Sequence, residues 1–187
     1  MVLSDGTIRD LYLGMDLKVE PEPNWEAQLQ PASLDLTLGA DFIIHRKMDP
    51  HRLPCDGHFY DGATILTLNE AVELEIRQGE FVLAHTLEKI TLPNYITGRL
   101  EGKSRWARMG LIVHAAGNID PGFSGQLTLE MTNLSPFPVT VRAGDMICHI
   151  SFLCLDRPCD RSYGTPGLGS HYHGQTSATP SHLFKKV

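Results

Sequence analysis

The segment QLTLEMTN (126–133) constrains the fold more than any other stretch of the chain. Leu127, Leu129 and Met131 alternate with Gln126, Thr128 and Glu130, which is the period of a strand buried on one face only. The signature recurs. SLDLTL (33–38) sets Leu34, Leu36 and Leu38 against Ser33, Asp35 and Thr37, and GEFVLAHTLEKITL (79–92) and PVTVRAGDMICHISFL (138–153) read as further short strands punctuated by Gly, Pro and Asn turns. Helical signal is strongest near the N-terminus, where Ser4 caps a turn or two carrying Ile8, Leu11 and Tyr12 on one side before Gly14 ends it. Many short strands with one early helix point to an all-β sandwich or barrel. At 187 residues, 42% of them apolar, the chain fits one domain with a real core. Residues 45–63, rich in Asp, His, Pro and Gly, read as an excursion between strands, and 157–187 as a tail with too few apolar residues for a core of its own.

Charge narrows the function classes. A formal net charge of −6 argues against broad attraction to nucleic acid or anionic lipid, so any polyanion must be met by a local cluster of cations. The start, MVLSDGTIRDLYLG, carries no secretory pattern, and no apolar run is long enough to cross a bilayer, so the expected location is the cytoplasm. Cys55, Cys148, Cys154 and Cys159 are irregularly spaced and contain no C-x-x-C pair; they read as reduced thiols. His171 and His173 flank Tyr172, but no second ligand group stands at zinc-like spacing.

Three elements carry candidate chemistry. GRLEGKSRWARMGL (98–111) crowds Arg99, Lys103, Arg105 and Arg108 into an otherwise acidic chain. Read as a short helix over KSRWARMG, it sets Ser104 and Arg108 on one side at i and i+4, turns Trp106 and Met109 toward packing, and ends at Gly110. Its N-terminus with Lys103 and Arg105 suits a phosphate chain, although an exposed basic turn explains the same residues. Glu130 shares the non-core strand face with Gln126 and Thr128: it is solvated if that face is open, and poised as a base if something covers it. In AAGNIDPGFSG (115–125), Asp120 is able to accept from a sugar hydroxyl, and Asp-Pro-Gly is equally plain turn chemistry. His114, His149 and Cys148 each admit a packing role and a functional one; His45 and His85 read as structural or exposed.

Together, GRLEGKSRWARMGLIVH, IDPGFSGQLTLEMTN and YGTPGLGSHYHGQ, with LSDGTIRDL and QPASLDLTLG at the start, resemble the successive motifs of the deoxycytidine triphosphate (dCTP) deaminases, relatives of the trimeric deoxyuridine triphosphatases. The resemblance covers most of the chain outside residues 45–75. It implies a distorted β-barrel or jelly-roll subunit of the dUTPase-like type, a single domain over 1–187 whose tail, 157–187, closes over the active site, and a homotrimer with sites shared between neighbours. It also implies roles. Glu130 matches the catalytic glutamate, and Ser104 and Arg108 the serine and arginine beside the water and the departing amine. Asp120 matches the residue on the deoxyribose 3′-hydroxyl, and Phe123 the aromatic of the sugar and base pocket, to which Ala115, Thr128 and His149 also belong. Lys103 and the N–H groups at Ser104 and Arg105 match the triphosphate cradle, His171 a phosphate-binding position of the tail, and Tyr163 and Gln175 tail positions that close over the nucleotide.

The implied reaction is hydrolytic deamination of dCTP to dUTP. A diphosphatase step giving dUMP, a dUTPase-like pyrophosphatase, an altered substrate such as a modified cytosine or a monophosphate, and a nucleotide-binding homologue without turnover are the alternatives. Zinc deaminases use H-x-E followed by P-C-x-x-C. This chain has no H-x-E, and Pro158-Cys159 lacks the second cysteine, so the resemblance implies Mg2+ on the triphosphate and no zinc. The chain departs from the family pattern at four places. VHAAGNID (113–120) is one residue short, Arg105 and Trp106 stand where serine and leucine are usual, His171 where a phosphate-binding lysine is usual, and His149 where a glutamine is usual.

Overall fold

Residues 1–44, 64–67, 73–114 and 117–182 are described by a computed structural model. The 45–63 excursion, with His45 and Cys55, and Ala115 lie outside the described residues. Three helices, α1 (Asp5–Leu13), α2 (Trp25–Gln28) and α3 (Ser104–Ala107), accompany thirteen strands among the described residues. The strands are β1 (Lys18–Glu20), β2 (Leu29–Gln30), β3 (Ser33–Thr37), β4 (Asp41–Ile44), β5 (Thr64–Thr67), β6 (Glu73–Ile76), β7 (Phe81–Thr91), β8 (Ile96–Gly102), β9 (Leu111–His114), β10 (Asn118–Ile119), β11 (Ser124–Asn133), β12 (Val139–Arg142) and β13 (Met146–Cys154).

The mainly-β expectation holds, and the described strands form layers with no closed barrel among them. One sheet runs β5-β4-β7-β11-β9, with β1 added to β7; a second runs β10-β8-β13-β3-β2; β12 and β6 pair separately. The core lies between layers. Leu127, Leu129 and Met131 of β11 are buried, as are Leu34 and Leu36 of β3 and Leu38 beyond it, so the period-2 alternation marks the inward face as expected. PVTVRAGDMICHISFL is divided by a turn in which Asp145 N–H donates to Arg142 C=O at 3.1 Å and Gly144 takes φ +91°. The break lets β12 pair with β6 while β13 pairs with both β8 and β3.

At the N-terminus Ser4 caps α1, accepting from Thr7 N–H, and Gly14 N–H closes the helix on Asp10 C=O at 2.8 Å. Ile8 is fully buried, with Leu11 and Tyr12 packed behind it. α3 is a single turn. Gly110 is required beyond it, because φ is +91° and a Cβ there would meet the Ser135 backbone nitrogen at 2.8 Å. Trp106 packs inward as expected, whereas Met109, expected beside it, is 46% exposed because α3 ends at Ala107, before that residue.

The pairing of β7 with β11 is irregular in one place. Gln126 faces Lys89 but Thr128 faces His85, so Thr86, Leu87 and Glu88 stand opposite Leu127 alone. Thr86, fully buried, closes the distortion: its Oγ1 donates to Glu88 C=O at 2.8 Å and accepts from Leu127 N–H at 2.9 Å. Glu88 thereby points inward and is fully satisfied, accepting from Gln28 Nε2 (2.8 Å), Thr37 N–H (2.9 Å) and Thr37 Oγ1 (2.8 Å). On the second sheet Asp35 is likewise buried and receives Lys103 Nζ and Gln30 Nε2. Cys148, Cys154 and Cys159 are free thiols, and burial, reinforced by Glu88 and Asp35, pushes the Cys148 thiol far up. Among the described residues no helix is long and apolar enough to cross a membrane.

His85 is buried beneath Gly39, where any side chain would collide with its ring. Its Nδ1 donates to Thr86 C=O at 2.8 Å and its Nε2 accepts from Asp41 N–H at 3.2 Å, an arrangement that suits the neutral ring. Burial lowers its pKa, against the opposing pull of the Thr86 carbonyl and Asp41. Below the ordinary value of about 6.5 the unfolded chain therefore takes up a proton that the folded chain refuses. Stability is complete above that value and is lost as pH falls toward the folded one. The thermal unfolding midpoint is expected to drop between pH 7 and pH 5, with a flatter slope in His85→Gln; equal slopes in the two proteins would contradict the assignment.

Candidate active site

The outward face of β11 becomes the floor of a cleft of about 650 Å3. Thr128 and Glu130 lie on that floor beside Leu83 of β7; Asp120 and Phe123 form one wall. The wall is shaped by the Asp120-Pro121-Gly122 turn, in which Phe123 N–H donates to Asp120 C=O at 3.1 Å and Gly122 takes φ +86°. Asn118 Nδ2 donates to Asp120 Oδ1 at 3.3 Å. Glu130 has a polar neighbour across the sheet: His114 of β9 stands directly opposite, with Nδ1 at 3.0 Å from Oε2.

The tail supplies the roof. Tyr163 N–H donates to Pro121 C=O at 2.8 Å, and the Tyr163 ring lies 5.8 Å from that of Phe123. Farther on, the tail pairs with the start of β11: Gln126 N–H donates to Gln175 C=O at 3.0 Å and Gln175 Nε2 returns a bond to Gln126 C=O at 2.7 Å. Ser177 N–H donates to Gln126 Oε1 at 2.6 Å and Thr179 N–H to Thr128 Oγ1 at 3.3 Å. Tyr163, Tyr172, Gln175 and Thr179 consequently line the cleft. Gln175 Oε1 is buried with no partner among the described residues, an acceptor suited to a donor brought by a ligand.

Glu130, Asp120, Phe123, Thr128, Tyr163 and Gln175, widely separated in sequence, thus come together. The remaining candidates lie elsewhere on the single chain. Ser104, Arg105 and Arg108 are exposed and do not line the cleft. Arg105 donates to Met146 C=O at 2.9 Å and lies over the Trp106 ring, while Lys103 is bonded to Asp35. His149 sits on β13 between Asp35 and Glu101. His171 is exposed, its ring edge-on to Tyr172 and His182. Among the described lining residues the carboxylate side chains are Asp120 and Glu130, and no Lys, Arg or His joins them. Nor do the described residues contain a group of three or more His, Cys, Asp or Glu able to hold a metal ion.

Phe81, Leu83, Tyr172, Thr179 and Ser181 line the cleft although nothing in their sequence context marks them as site residues. Tyr172 lay in plain view within HYH, and the Thr179 contact depends on a tail path that no local pattern encodes. His114 was visible as an outward residue of LIVH, but its position opposite Glu130 depends on strand register.

A mainly-β chain whose cleft is walled by a DPGF turn and roofed by its own C-terminal segment defines the class of protein. The family model that matches residues 2–154 is described as dCTP deaminase-like, and the chain belongs to that family. It is 39% identical over 186 residues to the dUMP-forming dCTP deaminase of Dictyoglomus turgidum, covering 98% of this chain and 95% of that protein. It is 37% identical over 186 residues to the dUMP-forming dCTP deaminase of Corynebacterium glutamicum strain R, covering 98% and 97%. Among solved structures, the 2′-deoxycytidine 5′-triphosphate deaminase from Agrobacterium tumefaciens matches with a TM-score of 0.64 and 27% identity over 81% of this chain; the match spans 47% of that longer chain.

The Lys103 to Asp35 pair joins α3 to the sheet beneath it, and Asp35 is almost wholly buried. Removing one partner from such a pair leaves an uncompensated charge and costs about 3 kcal/mol. Lys103→Met is expected to lose about that much stability in denaturant unfolding, and Arg105→Met less than about 1 kcal/mol. Equal losses would contradict the distinction.

Proposed function

We propose that this protein is a bifunctional enzyme that deaminates dCTP and cleaves the nucleotide to dUMP, releasing ammonia and pyrophosphate. The observation that carries the reading is the meeting of Glu130 and Asp120 in one cleft, in a chain that aligns along nearly its full length with relatives named as dUMP-forming dCTP deaminases. The principal expectation from the sequence, dUTP as the end product, is therefore replaced by its alternative, dUMP.

In the first half-reaction Glu130 accepts a proton from water as the oxygen bonds to C4 of the cytosine ring, and returns it to N3. A second proton from the added hydroxyl reaches the amine, the C4–N4 bond breaks, ammonia leaves, and the C4 carbonyl of uracil remains. In the second, Asp120, which also holds the deoxyribose 3′-hydroxyl, orients a water toward the α-phosphorus; the bond from that phosphorus to the bridging oxygen breaks and pyrophosphate departs. Two waters are consumed in all. Phe123 packs on the sugar, and Gln175 and the tail tyrosines close the site. The substrate is the magnesium complex of the triphosphate, the metal offsetting phosphate charge.

The cleft of one chain carries acids and no cation of its own among the described lining residues, a poor receptor for a triphosphate. We infer a homotrimer in which α3 of a neighbouring copy supplies Ser104, Arg105 and Arg108. Apolar side chains exposed around the start of β9 support an interface there: Met109, Ile112, Leu134 (65%) and Phe137 (58%), with Leu134 N–H bonded to Gly110 C=O at 2.8 Å. Burying them in the assembly would carry α3 with them. The reaction belongs to the cytoplasm, where deoxynucleoside triphosphates are made.

With dCTP the protein is expected to release ammonia and pyrophosphate in equal amounts. Glu130→Gln should slow ammonia release at least about 100-fold, the usual scale for losing a general base. Ammonia accompanied by accumulating dUTP would overturn the diphosphatase step, and no ammonia at all would overturn deamination.

A further inference from the structure

Glu130 is the side chain on which the proposed chemistry turns, yet a glutamate on a strand face has three rotatable bonds and no intrinsic reason to hold one orientation. Directly opposite residues are the closest side-chain neighbours across an antiparallel pair. On β7 that neighbour is Leu83, which is apolar; on β9 it is His114. The His114 Nδ1 lies 3.0 Å from Glu130 Oε2. On the same strand, Thr128 Oγ1 is engaged by the tail through Thr179 N–H.

We infer that His114 is the positioning residue of Glu130. In the tautomer with the proton on Nδ1 it donates to Oε2, clamping one carboxylate oxygen against β9 and leaving Oε1 as the oxygen that faces the cleft. Oε1 is then the proton carrier: the proton taken from water resides there and departs from there to N3, while Oε2 remains an acceptor from His114 throughout. A neutral imidazole suits this task because it donates to the carboxylate without cancelling its charge. The inference rests on the deaminase reading of the cleft, and it assigns to His114 no contact with the nucleotide.

A partly exposed pair of this kind contributes little to folding. Its consequence is orientational, so rate and stability are expected to separate. In the full-length assembled enzyme, His114→Ala should lower kcat for ammonia release about 10- to 100-fold, the scale of a misplaced catalytic group, while KM changes less than about threefold and the thermal midpoint stays close to wild type. His114→Asn, whose amide N–H reaches nearly the position of Nδ1, should recover most of the rate. A His114→Ala enzyme with unimpaired kcat, a loss that His114→Asn does not repair, or a loss that tracks the thermal midpoint would overturn the inference. Nitrogen-15 NMR of the imidazoles tests the geometry independently of turnover: the Nδ1–H tautomer is expected at His114, reverting to the ordinary Nε2–H form in Glu130→Ala. The same tautomer in both proteins would also overturn it. Absence of ammonia from the wild type refutes the deaminase reading instead and leaves the NMR result to decide the pairing.

Discussion

The long antiparallel pairing of β7 with β11 is the constraint on which the site depends, and a single threonine governs its irregularity. With Thr86 bridging Glu88 C=O and Leu127 N–H, the register shifts within the strand pair and the two sides of the distortion serve different ends. Toward the core, Glu88 is delivered into a set of donors from Gln28 and Thr37, tying the first sheet to the second. Toward the outside, Thr128 and Glu130 are presented on a face that the tail then covers. A regular ladder would continue the Gln126 pairing into different partners for Thr128 and Glu130 on β7.

Much of this was legible in the chain, for identifiable physical reasons. The alternation of QLTLEMTN reports burial directly, because period 2 is the geometry of a strand with one wet face; Leu127, Leu129 and Met131 are buried accordingly. Ser4 and Gly14 bound α1 through local hydrogen bonds, which local sequence encodes well. What escaped depends on register and long-range contact. Asp35 alternates with leucines like any solvated residue, yet it is buried under Lys103, from a segment far along the chain. Met109 followed helical spacing inward, but α3 lasts one turn and the chain leaves it before that residue can pack.

The site itself divides along the same line. Residues of β11, the DPGF turn and the tail assemble within one chain, because strand order and tail path bring them to one cleft. Within GRLEGKSRWARMGL, Ser104, Arg105 and Arg108 are exposed on a separate, cationic surface. Acid and cation are thus segregated on a single chain, with exposed apolar side chains beside the cationic part. Under the proposed trimer this segregation would be functional: association would bring Ser104 and Arg108 to the acidic cleft.

That proposal is tested most directly by subunit mixing. Glu130→Gln and Arg108→Ala proteins, each inactive alone, are dissociated together and reassembled, then assayed for ammonia release from dCTP. A shared site predicts that activity returns, since mixed assemblies contain positions where an intact Glu130 from one copy meets an intact Arg108 from another. A reassembled mixture no more active than either parent, with mixed oligomers confirmed by mass, would contradict it.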